Sequence, residues 1–177
     1  LRGAWTQARG WTGEIRSLSN AGAYALELVA PAPLKVMPGR VELGQLEARL
    51  AEGRVLVREA AWTPARLASS GEFAGLPAQW LIVAARLTER LRSTLLVDGE
   101  WQLIRTNEVQ GFVRMRRSSG DLALVGEGLT DLGLERAVLE ARFSNGRAVG
   151  SAEIVSRVAR AQLQGEVLPA LAVQGKV

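Results

Sequence analysis

The sequence predicts a mainly β protein: a curled, elongated antiparallel sheet with an apolar concave face and one α-helix near residues 76–91. Short runs such as 137–143 alternate apolar and polar side chains, which is the period of a half-buried strand. Turn signals containing Gly, Asn or Pro separate these runs almost from end to end. Glycine recurs on the apolar side of the runs, at Gly111, Gly150 and Gly165, where it permits sharp bending of a sheet.

The alternating runs define the predicted strands in order along the chain. Each run is bounded by a turn signal or by a change of pattern. The predicted strands are 10–18, 24–30, 34–37, 40–50, 54–63, 66–73, 93–98, 100–106, 109–117, 122–125, 134–144, 147–156 and 158–168. Asn145-Gly146 suits a two-residue hairpin with positive φ at both positions. Further turns are predicted at 37–39, 98–99 and 118–121, where Pro, Gly and Asp supply the turn chemistry.

One segment, 76–91, breaks the alternation and predicts a helix. Pro77 can occupy the first turn, where its missing N–H costs nothing. The apolar side chains recur at helical spacing, so one face should pack against the apolar face of the sheet. After Leu76, that helix face carries Trp80, Val83, Leu87 and Leu91.

The composition fits a single β-rich segment, residues 1–177, and excludes several kinds of site. Apolar residues make up 47% of the chain, so it is not a disordered segment. There is no cysteine and no histidine, which removes thiolate metal sites, disulfides and the commonest general base. No nucleophile turn or complete phosphate-binding glycine loop is present. The sequence therefore predicts no enzyme activity and no cofactor or metal site.

The net charge is +4, and the basic residues, nearly all arginine, are dispersed along the chain. Solvated strand faces and protection of sheet edges explain dispersed arginines, whereas a nucleic-acid surface needs a clustered stripe. No nucleic-acid partner is therefore predicted. The five tryptophans are far apart in the sequence, and we interpret them as anchors at strand ends rather than as stacking platforms.

The strands divide into a dry face and a wet face. The dry faces are rich in small residues, and this leaves two interpretations open: close packing of a self-filled core, or an open groove with room for a guest. The inward residues predicted to line such a groove are Leu26, Leu28, Val55, Val57, Trp101, Leu103, Val113, Met115, Leu139, Phe143, Ile154 and Leu163.

Several segments in order along the chain resemble the TamB family, the large periplasmic subunits of translocation and assembly modules, which are akin to AsmA-like proteins. The resemblance covers nearly the whole chain, and its best motifs are the strand at 99–101 and the turn ending at Asp121. The segments that carry it are 11–18, 28–33, 59–64, 96–103, 111–121 and 132–135.

The resemblance implies a taco-like or half-pipe sheet that is tethered to the inner membrane and reaches a TamA-like outer-membrane barrel partner. It implies roles in outer-membrane biogenesis, protein secretion and lipid transport across the periplasm, with phospholipid acyl chains in a hydrophobic groove. The chain is interpreted as a fragment, because it begins at Leu1 and strand-like sequence continues to Val173. Its membrane anchor is then expected in a segment outside it. The alternative is a protein-binding module that adds a β-strand from an outer-membrane client or partner to a sheet edge.

Overall fold

The computed structural model describes residues 2–6, 10–20, 25–84, 88–126 and 128–166, without the side chains of Thr6, Trp80, Leu81, Ala84 and Leu129. The protein is mainly β, with 74% strand, as predicted. The elements are β1 (Arg2–Thr6), β2 (Gly10–Ile15), β3 (Ser19–Asn20), β4 (Leu26–Leu28), β5 (Ala32–Met37), β6 (Arg40–Leu43), β7 (Leu46–Leu50), β8 (Gly53–Thr63), β9 (Arg66–Pro77), α1 (Gln79–Ala84), β10 (Leu91–Ser93), β11 (Leu96–Arg105), β12 (Val109–Ser119), β13 (Leu122–Val125), β14 (Leu129–Asp131), β15 (Leu134–Ser144), β16 (Arg147–Ser156) and β17 (Arg160–Glu166).

One large antiparallel sheet contains 14 of these strands. Its main order is β1-β2-β5-β6-β8-β9-β11-β12-β15-β16-β17, and β7, β4 and β3 continue from β8 as a side branch. From β8 onward most neighbours are consecutive hairpin strands. A smaller antiparallel sheet, β10-β13-β14, is built from the segments that connect β9 to β11 and β12 to β15. The described strands form an open sheet with β1 and β17 at its two edges.

The turn chemistry predicted from sequence is confirmed at three turns, two of which are hairpins. Asn145 and Gly146 both have positive φ, 51° and 71°, between β15 and β16. Gly39 turns β5 into β6 with a φ of 69°, and Gly120 ends β12 with a φ of 78°. These are left-handed conformations that glycine adopts without steric cost and that asparagine tolerates.

The helix predicted at 76–91 is wrong in length and in its buried face. Strand pairing with β11 holds Leu76 and Pro77 in β9, and Leu91 begins β10. Among the described residues the helix covers Gln79–Ala84 and buries Ile82, whereas Val83 is exposed. The side chain of Trp80 and the whole of Leu87 lie outside the described residues.

Two predicted strand boundaries also differ from the structure. Asp98-Gly99 is not a hairpin but lies inside β11, because the Asp98 carboxylate accepts the Gly75 N–H at 3.0 Å and Gly99 lies under the ring of Phe73. The predicted strand 40–50 is divided at Gly44 into β6 and β7. A side chain at Gly44 would collide with the ring of Pro33.

A small apolar cluster joins the two sheets at one end of the large sheet. Its buried members are Ala78, Leu95, Val97 and Leu134, and Leu122 of the small sheet packs against them. The half-buried side chains around it are Phe73, Leu76, Leu132 and Ile154. The small sheet therefore caps the end of the large sheet at which β9 finishes and β11 and β15 begin.

Strand pairing fixes which residues share a side of the large sheet, because paired residues point the same way and neighbours along a strand alternate. We name the two sides after Trp101 and Arg114. The Trp101 side carries Trp5, Trp11, Leu34, Val36, Val41, Leu43, Leu46, Trp62, Leu67, Phe73, Leu103, Val113, Met115, Leu139 and Leu163. The Arg114 side carries Glu14, Lys35, Glu42, Glu47, Arg54, Glu72, Asp98, Glu100, Arg116, Arg136, Glu140, Arg142 and Glu153.

Asp121 fastens the small sheet to the start of β15. Its carboxylate accepts hydrogen bonds from the backbone N–H groups of Leu122 at 2.8 Å, Gly133 at 2.8 Å and Leu134 at 2.9 Å. These hydrogen bonds lower the pKa of Asp121 below its usual value, and the bond from Leu134 has the largest effect. The positive charge of Arg157 also lowers this pKa. The carboxylate thus accepts from three backbone N–H groups where the two sheets meet.

We expect Asp121→Asn to lower the melting temperature near neutral pH by several degrees, because one of the two carboxylate acceptors is lost. The pKa of Asp121 is lower in the folded state than its unfolded value of about 3.9. Its contribution is therefore present above about pH 4 and is lost as the pH falls through the folded-state pKa. Thermal melts followed by circular dichroism should show a smaller difference in melting temperature between variant and native protein at about pH 3. Asp131→Asn, at an exposed position in β14, is the matched control, and an equal difference at both pH values would contradict this role of Asp121.

Candidate functional site

The structure places all twelve residues predicted to line a groove on the Trp101 side. One row of direct pairs runs from Val57 through Gly71, Trp101 and Val113 to Ala141. The adjoining row holds Val55, Met115 and Leu139, and the pairs of β4 with β7 add two more positions. The twelve are Leu26, Leu28, Val55, Val57, Trp101, Leu103, Val113, Met115, Leu139, Phe143, Ile154 and Leu163.

None of these twelve side chains is buried. Ten are half-buried, while Leu139 and Leu163 are exposed at 38% and 63%. A sheet packed beneath a complete second layer buries its inward side chains. Within the part of the chain that the structure describes, the small sheet covers only one end of the Trp101 side.

Aromatic rings on the Trp101 side lie flat over glycines of the neighbouring strands. Trp101 covers its pairing partner Gly71, and Phe73 covers its partner Gly99, so that a Cβ added at either glycine would collide with the ring. The two rings stack with centroids 6.4 Å apart. The indole N–H of Trp101 donates to the hydroxyl of Ser69 at 3.0 Å. The glycines thus let large apolar rings lie low against the sheet, with their polar group satisfied.

A cavity of about 430 Å³ lies on the Trp101 side where β12, β15, β16 and β17 meet. Small residues and larger apolar side chains make up most of its lining. Its lining includes Val113, Met115, Leu139, Ala141, Gly150, Ala152, Leu163 and Gly165. The surface here is mostly hydrocarbon and open to solvent, a chemistry that suits apolar guests.

The Arg114 side has a different chemistry, because its charges are paired across the strands. The guanidinium of Arg114 contacts Glu100 at 2.8 Å and Glu140 at 3.4 Å, and Glu140 also contacts Arg142 at 2.5 Å. The hydrogen bonds donated by Arg142 and Arg114 lower the pKa of Glu140. The hydrogen bond between Arg114 and Glu140 also raises the pKa of Arg114. A cavity of about 460 Å³ at this network is lined half by ionic residues and half by apolar ones. Paired exposed ions of this kind keep a sheet surface wet and contribute little to stability.

Several residues of the Trp101 side are absent from the twelve predicted from sequence, among them Trp62, Phe73 and the charged Arg105. Arg105 pairs with Leu67 and Val109 and therefore lies on the Trp101 side. The signal was present in the sequence, because Arg105 follows Trp101 and Leu103 with the same period of two.

The described residues contain no cluster of three or more side chains suited to holding a metal ion. In the same residues, no helix has the length and apolar character needed to cross a membrane.

Comparison of the chain with protein-family models, with curated protein sequences and with solved structures finds no match to any of them.

Proposed function

We propose that the Trp101 side is a curled, open groove that carries phospholipid acyl chains across an aqueous compartment. In this proposal the chain is a segment of a TamB-like, AsmA-related periplasmic protein that is anchored in the inner membrane and meets a TamA-like barrel at the outer membrane. Its work is lipid transport in outer-membrane biogenesis.

The observation that carries the proposal is a wide apolar surface that no second layer of the described residues covers. Contiguous exposed apolar surface of this kind marks an interaction site, and the exposed side chains include Leu139 and Leu163 beside the cavity at β15 to β17. Burial of hydrocarbon is non-directional and grows with the area removed from water. A surface of this kind therefore suits a long, flexible and chemically uniform guest.

The energetics of transfer support an acyl chain as that guest. Each methylene that leaves water contributes about 0.8 kcal/mol, so a chain of many methylenes is held without any specific contact. Because equivalent rows follow one another along the sheet, the chain can slide from one row to the next with little change in free energy. A single tight site would slow such movement.

The glycines support a curled sheet. Gly71, Gly99, Gly111 and Gly150 all lie on the Trp101 side, and Gly111 has a φ of 122° that other residues rarely adopt. Glycines and bulges at defined positions are the devices that bend sheets. Bulges lie between β8 and β9 and between β9 and β11.

Strand addition is the second candidate function, and β17 is the observation that favours it. Among the described strands it lies at an edge of the sheet and is exposed at every position, Arg160–Glu166. An unprotected edge can pair with a strand from another chain. A partner strand would then bind through its backbone at the edge and not on the Trp101 side.

Photo-crosslinking from matched neighbours tests the proposal. A photoreactive amino acid at Leu103 or Leu163 should label phospholipid from vesicles, whereas the same group at Gln102 or Gln164 should not, because these neighbours point to the opposite side. Each pair shares a strand and differs only in side. The measurement is the labelled lipid recovered by mass spectrometry. Equal labelling from both sides, or none from the Trp101 side of a folded protein, would refute the groove and leave strand addition as the leading function.

A further inference from the structure

Arg105 is chemically isolated on the Trp101 side. Across the paired positions of the large sheet that the structure describes, this side carries no Asp or Glu, and its charged residues are Arg105 and Arg117. Arg117 lies at the capped end, where its Nε donates to the carbonyl oxygen of Gly120 at 3.0 Å. Arg105 is exposed at the opposite end of β11 and forms no ion pair with a described residue. Arg114, on the other side of the sheet, instead forms ion pairs with two carboxylates, those of Glu100 and Glu140.

The neighbours of Arg105 are apolar and exposed. Direct pairing places Trp62, Leu67, Arg105 and Val109 in one row across four strands. Trp62, Leu67 and Val109 are 46%, 44% and 37% exposed. With strands about 4.8 Å apart, the row spans about 14 Å. A guanidinium therefore stands in the middle of an exposed apolar strip.

The same row continues to the β1 edge of the sheet and contains further tryptophans. Trp62 pairs with Val41, Val41 with Val36, Val36 with Trp11 and Trp11 with Trp5. Three of the five tryptophans thus share the row of Arg105. Tryptophan and arginine are the side chains that settle where hydrocarbon meets a polar headgroup, because each has an apolar body and a polar end.

We infer that Arg105 binds the phosphate of a phospholipid whose acyl chains lie along the Trp101 side. This inference rests on the proposed function and adds the headgroup to it. The charges favour this occupant: a cation without a carboxylate attracts an anion, and the surrounding apolar row attracts the chains attached to it. A guanidinium offers a phosphate two parallel N–H donors.

The dimensions agree with this arrangement. From Arg105 to the capped end at Val97, β11 runs eight residues, or about 26 Å at about 3.3 Å per residue. One leaflet of a bilayer has a hydrocarbon thickness of about 15 Å, half of the about 30 Å core. An acyl chain that starts at Arg105 therefore fits along β11 before it reaches the small sheet.

The test compares two soluble probes that share the same fluorescent acyl chain, a phosphatidic acid and a diacylglycerol without phosphate. The native chain should bind the phosphatidic acid about threefold to tenfold more tightly, as expected for an exposed but apolar-flanked ion pair. Arg105→Gln should remove that preference and leave diacylglycerol binding unchanged, and Arg105→Lys should restore part of it. Arg66→Gln, at the same end of the sheet but on the Arg114 side, should change neither affinity.

The outcomes separate this inference from the groove proposal. Equal affinity for the two probes in the native chain, or an equal loss of both in Arg105→Gln, overturns the phosphate site while lipid binding stands. Competition by inorganic phosphate that releases the phosphatidic acid completely overturns the lipid assignment in favour of a simple anion site. If Val113→Asp leaves the binding of both probes intact, the groove proposal fails, whatever Arg105→Gln does.

Discussion

Val113→Asp and Leu139→Asp are each expected to reduce phospholipid transfer between vesicles by more than tenfold. Val113 pairs with Trp101 and Ala141, and Leu139 pairs with Met115 and Ala152, so either carboxylate would stand among apolar side chains. An acyl chain that covered it would remove an unpaired ion from water, which costs several kcal/mol. Since about 1.4 kcal/mol corresponds to a tenfold change in an equilibrium constant, one charge is enough to interrupt the path.

Gln102→Asp is the matched control. It adds the same charge to β11 beside Trp101, but on the Arg114 side, where carboxylates such as Glu100 are already exposed to water. Circular dichroism and a thermal melt should first establish that each variant folds. Folded Val113→Asp and Leu139→Asp proteins that transfer lipid at the native rate would refute transport along the Trp101 side.

The sides of the sheet could be predicted from the sequence because they follow from a local rule. Alternation with a period of two assigns Leu139 and Phe143 to one side and Glu140 to the other, whatever their partners are. Hairpins then align neighbouring strands: the tight turn at Asn145-Gly146 leaves little freedom in how β15 and β16 pair.

What could not be predicted depends on contacts distant in sequence. The apolar spacing from Leu76 onward is compatible with a helix, but pairing with β11 extends β9 as far as Pro77. Tertiary pairing overrides local propensity in such cases. In the same way, Asp98-Gly99 has the composition of a turn but lies inside β11. Glycine is needed there because the ring of Phe73 lies over Gly99.

The isolation of Arg105 could be predicted only in part. Its side follows from its spacing to Trp101 and Leu103. Its lack of a carboxylate partner, and its place in a row with Trp62, depend on the register of strands far apart in the chain. The dispersed arginines look alike in the sequence, so nothing there indicates that Arg105 lacks a carboxylate partner among the described residues.

Leu134→Ala is expected to cost about 2–5 kcal/mol of folding free energy. Leu134 is 5% exposed and lies in the cluster that joins the small sheet to the large one, together with Leu95 and Val97. In the part of the chain that the structure describes, the sheet is covered at one end and has few such residues. A domain has about 5–15 kcal/mol of stability to lose. The loss should therefore appear in urea unfolding as a large fall of the midpoint with little change of slope.

Leu124→Ala is the control for this change. Leu124 lies in β13 of the same small sheet but is 47% exposed, and its truncation should cost less than about 1 kcal/mol. If both variants lose the same small amount, the cluster does not hold the cap in place. The small sheet would then be free to leave the end of the Trp101 side, and an acyl chain moving along β11 would meet no fixed stop there. A large loss at Leu134 alone means instead that the cluster fixes the small sheet against this end of the large sheet.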